Sequence, residues 1–178
     1  MTDRSDRPLR GTALKRFHRD RRRQTPPSRA VAFVLENVAY PVNVGSVFRI
    51  ADACRAELVA LVGSTPEPTA GGSLARAARG KQMRVPWERF PSVGESADAM
   101  RARGFWIAGI EITADAEAYY EAEFPERVAL VVGNEDHGLT RAALAACDAH
   151  LYIPMYGRGA SLNVHVAAAI VAYRALFP

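Results

Sequence analysis

The stretch VAFVLENVAYPVNVGSVFRIADACR, residues 31–55, carries the reading of the fold. Val31–Leu35 is a short, wholly apolar run of strand length. After a polar loop from Glu36 to Asn43, the apolar spacing changes: Val44, Val47, Phe48, Ala51 and Cys54 recur as one face of a helix over Val44–Arg55. Strand, loop and amphipathic helix form half of a βαβ unit. The same alternation continues along the chain. Further strands are expected at Leu58–Val62, Met83–Val85, Phe105–Ile110, Val128–Val132 and His150–Ile153, and further helices at Ser92–Arg103, Ala114–Glu121, Leu139–Ala146 and Leu162–Leu176. This pattern predicts an α/β domain with a mainly parallel sheet and helices on both faces. No repeat of 20 to 50 residues is present.

Open parallel sheets bind ligands beyond the carboxyl ends of their strands, so the loops there hold the candidate site. In the first loop Asn43 stands at the expected N-cap, and Asn43, Ser46 and Arg49 share an arc of about 120° away from the apolar stripe. A helix N-terminus, an amide and a guanidinium together suit an anion such as phosphate. The second loop, Gly133-Asn134-Glu135-Asp136-His137-Gly138, sets polar groups between two glycines; Gly133 permits close backbone approach and Gly138 a turn. Adjacent Glu135, Asp136 and His137 cannot all face one ion, so no metal site is expected. The third runs from Pro154 through Gly157-Arg158-Gly159 to Ser161, which is placed to cap the last helix. That helix is apolar on nearly every side, which predicts a partner surface, most economically a homodimer.

Composition narrows the class. The chain has 178 residues, 49% hydrophobic and 24% charged, enough for one domain with a sizeable core. It has no apolar run long enough to span a membrane and no apolar stretch behind its first residues to act as a secretory signal. Cys54 and Cys147 stand far apart without metal-ligand spacing, which fits a reduced, cytoplasmic compartment. The net charge of +4 is uneven: residues 1–29 hold ten basic side chains against three acidic ones, Arg21, Arg22 and Arg23 among them, and the remainder is slightly acidic. Residues 1–28 are therefore expected to be a flexible basic arm ending at Thr25-Pro26-Pro27-Ser28, ahead of a single domain over 29–178. A second basic cluster comprises Arg76, Arg79, Lys81, Arg84 and Arg89, opposed only by Glu88. No Walker A loop is present, no G-x-G-x-x-G follows the first strand, and no nucleophile elbow surrounds Ser161.

Together the loops resemble the SpoU/TrmH branch of the SPOUT class of RNA methyltransferases. The resemblance covers residues 31–176 and rests on Asn43-Val44-Gly45-Ser46-Val47-Phe48-Arg49, on Val132-Gly133-Asn134-Glu135 with Gly138-Leu139, and on Ile153-Pro154-Met155 with Ser161-Leu162-Asn163-Val164. Ile50, Ala56 and His165 depart from the family's usual threonine, glycine and small hydroxyl residue. The resemblance implies a SPOUT-like α/β fold with a C-terminal trefoil knot and a dimer whose active site is shared across the interface. It implies S-adenosylmethionine held through Gly133, Ile153, Met155 and Leu162. It further implies methyl transfer to a ribose 2′-hydroxyl, centred on Arg49 with Asn43, Glu135, Ser161 and Asn163.

Transfer RNA is the first expected substrate and ribosomal RNA the second. Arg21, Arg22 and Arg23 of the arm and Arg76, Arg79, Lys81 and Arg84 of the cluster are the expected phosphate contacts, beside the active cleft. The carboxylates of Glu111–Glu126 are expected to face away from RNA. Two rival classes are a non-catalytic RNA-binding module of the same fold and a dinucleotide-dependent enzyme. Intact Asn43, Arg49, Glu135, Ser161 and Asn163 disfavour the first; Tyr40-Pro41-Val42-Asn43, a poor phosphate loop, disfavours the second.

Overall fold

Side chains of the first strand, β1 (Ala30–Glu36), alternate between two hydrophobic cores. Val31, Phe33 and Leu35 enter one core, and Ala32 and Val34 the other. Both faces of the strand are thus buried, which is why it reads as an unbroken apolar run. The same division holds in β2 (Val59–Val62) and β6 (Arg127–Val132). The computed structural model describes residues 8–24, 28–68 and 71–177. Residues 25–27 of the expected linker and residues 1–7 lie outside them.

The remaining elements are α1 (Gly11–Gln24), α2 (Pro41–Cys54), α3 (Gly72–Ala78), β3 (Trp87–Phe90), α4 (Val93–Ala102), β4 (Trp106–Ile110), β5 (Glu117–Ala118), α5 (Arg141–Ala146), β7 (Ala149–Tyr152) and α6 (Val164–Leu176). The sheet has the order β3-β2-β1-β6-β4-β7-β5, and every ladder in it is parallel. Helices α2, α3 and α6 contribute to the core on one face, α4 and α5 to the core on the other. The α/β architecture is the expected one. Ile110 and Glu117 both stand beside Leu151, so residues 111–116 cross from one flank of β7 to the other. No helix among the described residues is long and apolar enough to cross a membrane.

Several elements differ from expectation for visible reasons. Met83–Val85 is not a strand: Lys81–Met83 is a 3₁₀ turn, Met83 is exposed, and pairing starts only after Pro86, at Trp87. Pro86 lacks an N–H to donate, and β3 is an edge strand with a mostly exposed face, so it lacks an apolar signal. Ala114–Glu121 is not a helix, because Glu117 and Ala118 pair with β7 and the Tyr119 N–H donates to the Tyr152 carbonyl. Tertiary pairing there overrides an Ala- and Glu-rich helical composition. Helix α3 was not expected. It packs on α2 so closely that a Cβ at Gly45 would run into the Leu74 carbonyl. In the basic arm, residues 11–24 form α1, which buries none of its side chains.

Candidate active site

A cleft of about 600 Å³ opens at the carboxyl ends of β4, β6 and β7. Its volume lies within the range of small-molecule sites. Gly133, Ile153, Met155 and Leu162 all line it, as do Asn43, Glu135, Ser161 and Asn163. Residues from three separate loops, selected on sequence alone, therefore meet at one place. Ile110, Val132, Leu139, Leu151 and Ala167 add apolar walls.

The centre of the arrangement is Glu135. Helix α2 begins at Pro41, with Tyr40 as N-cap and no side-chain cap of its own. Asn43 is therefore not the N-cap but a buried residue of the first turn. Glu135 provides the cap from the loop after β6. Its carboxylate accepts from the Ala39 N–H at 2.9 Å, the Tyr40 N–H at 3.2 Å and Asn43 Nδ2 at 2.6 Å. The anion expected at this helix N-terminus is thus the protein's own carboxylate, which satisfies orphan N–H groups and opposes the positive end of the helix. Burial alone would raise the pKa of Glu135; the hydrogen bonds from Asn43, Ala39 and Tyr40 outweigh it and hold the carboxyl below its ordinary value.

Asn43 passes the order on. With Nδ2 committed to Glu135, its Oδ1 faces His165 Nδ1 at 3.0 Å. That oxygen requires a donor, so His165 carries its proton on Nδ1. Burial lowers the pKa of His165, which keeps the ring neutral near pH 7. His165 joins the site through this bond, and sequence reading marked it only as a departure from the family pattern. Ser161 does not cap α6; Asn163 does, its side chain accepting the His165 N–H.

Gly133 is needed for the turn itself: a Cβ would run into the Gly138 carbonyl. Asn134 and Gly138 exchange backbone hydrogen bonds across that turn, and Asn134 Oδ1 accepts from the Asp136 and His137 N–H groups. Two carboxylates that sequence reading missed support these loops. Glu36, buried at the end of β1, accepts from the Thr140 N–H and Oγ1 at the start of α5. Glu111 accepts from the Leu139 N–H at 2.9 Å and lines the cleft, so this member of the 111–126 acidic stretch does not face away from the site. The signal available was position, since each acid stands immediately at or after a strand end.

Arg49 is the exception. It is exposed, its side chain makes no hydrogen bond or ion pair among the described residues, and it does not line the cleft. The expected grouping of Asn43 with Arg49 fails because 120° of helix separates a buried amide from a solvent-facing guanidinium. The basic cluster also divides. Lys81 bonds Asp52 at 2.8 Å, and Arg89 is held by Glu67 and by the Gly63 and Thr65 carbonyls. Arg76, Arg79 and Arg84 are exposed with no carboxylate partner among the described residues. Arg21, Arg22 and Arg23 lie on exposed turns of α1. Among the described residues no three His, Cys, Asp or Glu side chains gather as metal ligands.

The chain is similar to known proteins over most of its length. The SpoU rRNA Methylase family matches residues 30–173. The 23S rRNA (guanosine(2553)-2'-O)-methyltransferase of Bacillus subtilis (strain 168) is 36% identical over 140 residues, which cover 79% of this chain and 55% of that one. The chain spans little more than half the length of the curated relatives it matches. The SpoU methyltransferase AviRb of Streptomyces viridochromogenes, solved with AdoMet, aligns with a TM-score of 0.73 and 27% identity over 85% of this chain and 61% of that one. A structure described as bearing on 2-OH methylation of C/U34 on tRNA aligns with a TM-score of 0.72 and 31% identity, over 83% of this chain and 95% of that one. With its three loop motifs joined in one strand-end cleft and the match running almost from β1 to the end of α6, the chain belongs to the SpoU methylase family, the SpoU/TrmH group of RNA methyltransferases.

Proposed function

We propose that the protein is an S-adenosylmethionine-dependent RNA methyltransferase that modifies a ribose 2′-hydroxyl, with transfer RNA as substrate. The observation that carries this reading is the convergence of every cofactor and catalytic candidate except Arg49 on one cleft. The residues present suit the cofactor. Apolar walls from Ile110, Leu139, Leu151 and Ile153 would hold its flat base, and Gly133, Ile153, Met155 and Leu162 would meet its polar edges through their backbone groups. When bound, the cofactor supplies an electrophilic methyl group on a sulfonium.

The chain's own residues orient the attacking hydroxyl. Glu135 and Asn43 lock the start of α2 against the β6 loop, so the polar wall of the cleft is set before RNA arrives. Ser161 and Asn163 line the cleft at the entry to α6, where His165 bonds Asn43. Arg49 stabilises the developing oxyanion and reaches the site from a second copy of the chain. A guanidinium is rarely deprotonated, which favours electrostatic stabilisation over a role as base. A homodimer is supported by α6, on which Val166 and Tyr173 are exposed, and by the exposed Val42 on neighbouring α2. We further propose that the chain after β7 threads the loop after β4 to form the family's knot; the crossing of residues 111–116 past β7 supports it. A cytoplasmic setting is supported by Cys54 and Cys147, which form no disulfide.

Transfer RNA is favoured because the tRNA-related structure is matched over 95% of its length. Ribosomal RNA is the second reading, favoured by the Bacillus subtilis relative. Calorimetric titration with adenosylmethionine and with NAD tests the cleft. Saturable adenosylmethionine binding, lost in Gly133→Val, is expected. NAD binding without adenosylmethionine binding contradicts the proposal.

A further inference from the structure

A second depression, of about 440 Å³, lies away from the cleft on the edge-strand side of the sheet. It is lined by Pro68, Gln82, Met83, Arg84, Val85 and Trp87 among others. Its walls are unusual for a surface. Met83 is 75% exposed and Trp87 36%, so two large apolar side chains, one flexible and one flat, face solvent on the same depression. At the floor Gln82 is buried, and its Oε1 has no hydrogen-bond partner among the described residues. A turn of that side chain would offer the oxygen to an occupant's amino group.

The charges around this depression have a consistent sense. The carboxylates nearby are already engaged: Glu88 by Arg103, Glu67 by Arg89, and Asp52 by Lys81. Arg76, Arg79 and Arg84 are left exposed without a carboxylate partner among the described residues. An indole, a thioether and the Arg84 guanidinium on the depression, with Arg76 and Arg79 at the end of α3 just before it in the chain, match the needs of an unpaired nucleotide, in which a base stacks on an aromatic face and phosphates meet cations. A second copy of the chain would bring the same uncompensated positive charge against itself. We infer that this depression is a stacking subsite for a single-stranded RNA segment, with a base on Trp87 and Met83 and the flanking phosphates on Arg84, Arg79 and Arg76. The inference rests on the RNA reading of the active cleft and adds to it a holding point three strands away from β6.

The protein has two tryptophans, so Trp106→Phe leaves Trp87 as the sole indole reporter. Titrating that full-length variant with short single-stranded oligoadenylate is expected to quench its fluorescence, whereas an RNA duplex of equal charge quenches little. Trp87→Ala is expected to weaken oligoadenylate binding by roughly tenfold or more. Trp87→Phe should retain most of the affinity, and Arg84→Glu should flatten the salt dependence. Adenosylmethionine affinity should stay the same in all three, which also verifies their folding. Absence of quenching, or equal RNA affinity in Trp87→Ala, overturns the subsite. So does a Trp87-dependent change of mass with protein concentration in the absence of RNA, which would make the groove a contact between copies. Failure of the unaltered chain to bind adenosylmethionine would instead strike the methyltransferase reading, so the two failures are separable.

Discussion

Glu135 joins two loops that are distant in sequence, and its three hydrogen bonds make it the most consequential side chain of the site. Replacing one carboxylate oxygen by an NH₂ group sets donor against donor. Glu135→Gln is therefore expected to lower unfolding free energy by about 1–3 kcal/mol in urea titration and to weaken adenosylmethionine binding. The pH dependence has a definite sign. The folded pKa of Glu135 is depressed, so its stabilisation is present above its ordinary value of 4.5 and is lost as pH falls below it. His165 behaves in the same sense one step higher: its folded pKa lies below 6.5, so stability declines as pH falls through 6.5 toward the folded value. Thermal melts between pH 7 and pH 5 should show this decline, and His165→Ser should lessen it. Arg49→Lys, by contrast, should leave melting and adenosylmethionine affinity unchanged while lowering turnover by about a hundredfold or more, since a point charge replaces a planar fork. Turnover near that of the unaltered chain would refute the assigned role.

Among the elements, α2 ends in a strained cap. It ends with Arg55 in the left-handed region at φ 55°, where the N–H of Arg55 closes on the Ala51 and Asp52 carbonyls. Glycine adopts that conformation without a Cβ penalty, and the Arg55 side chain is exposed. Arg55→Gly is expected to stabilise the chain by up to about 1 kcal/mol, a rise of about 2–4 °C in melting temperature. The same helix shows how far sequence reaches. Its apolar stripe, Val44 to Cys54, was legible because the core faces it in a regular period. Its N-terminus was not, because the cap comes from Glu135, ninety-two residues beyond Asn43, and no local spacing encodes that. The central strands were legible because both faces are buried; β3 and β5, at the two edges of the sheet, were missed or misread because they bury little and follow their neighbours' pairing. Helix α3 escaped notice because it is short and buries only Leu74 and Ala78.

Across the molecule as a whole, the basic excess and the cleft lie in different segments of the chain. The motif residues were legible because strand ends are where a parallel sheet must place its ligands; Arg49 was legible as a residue but not in its position, since its spacing on α2 does not tell which way the guanidinium faces relative to the cleft. The basic excess lies in residues 1–29, and α1 carries Arg21, Arg22 and Arg23 on a helix that buries nothing. Deleting residues 1–28 is therefore expected to weaken RNA binding and flatten its salt dependence without altering adenosylmethionine affinity, as measured by filter binding across a salt series. Unchanged RNA affinity would make the segment a passive extension. The central claim, that the cleft at the ends of β4, β6 and β7 directs a methyl group to a ribose hydroxyl of RNA, is tested most directly by incubating the protein with total RNA and labelled adenosylmethionine and mapping the labelled nucleosides in each size class. Label in a 2′-O-methylnucleoside of the tRNA fraction, abolished by Arg49→Ala, is the expected result; label on a base, or none in any RNA, would contradict it.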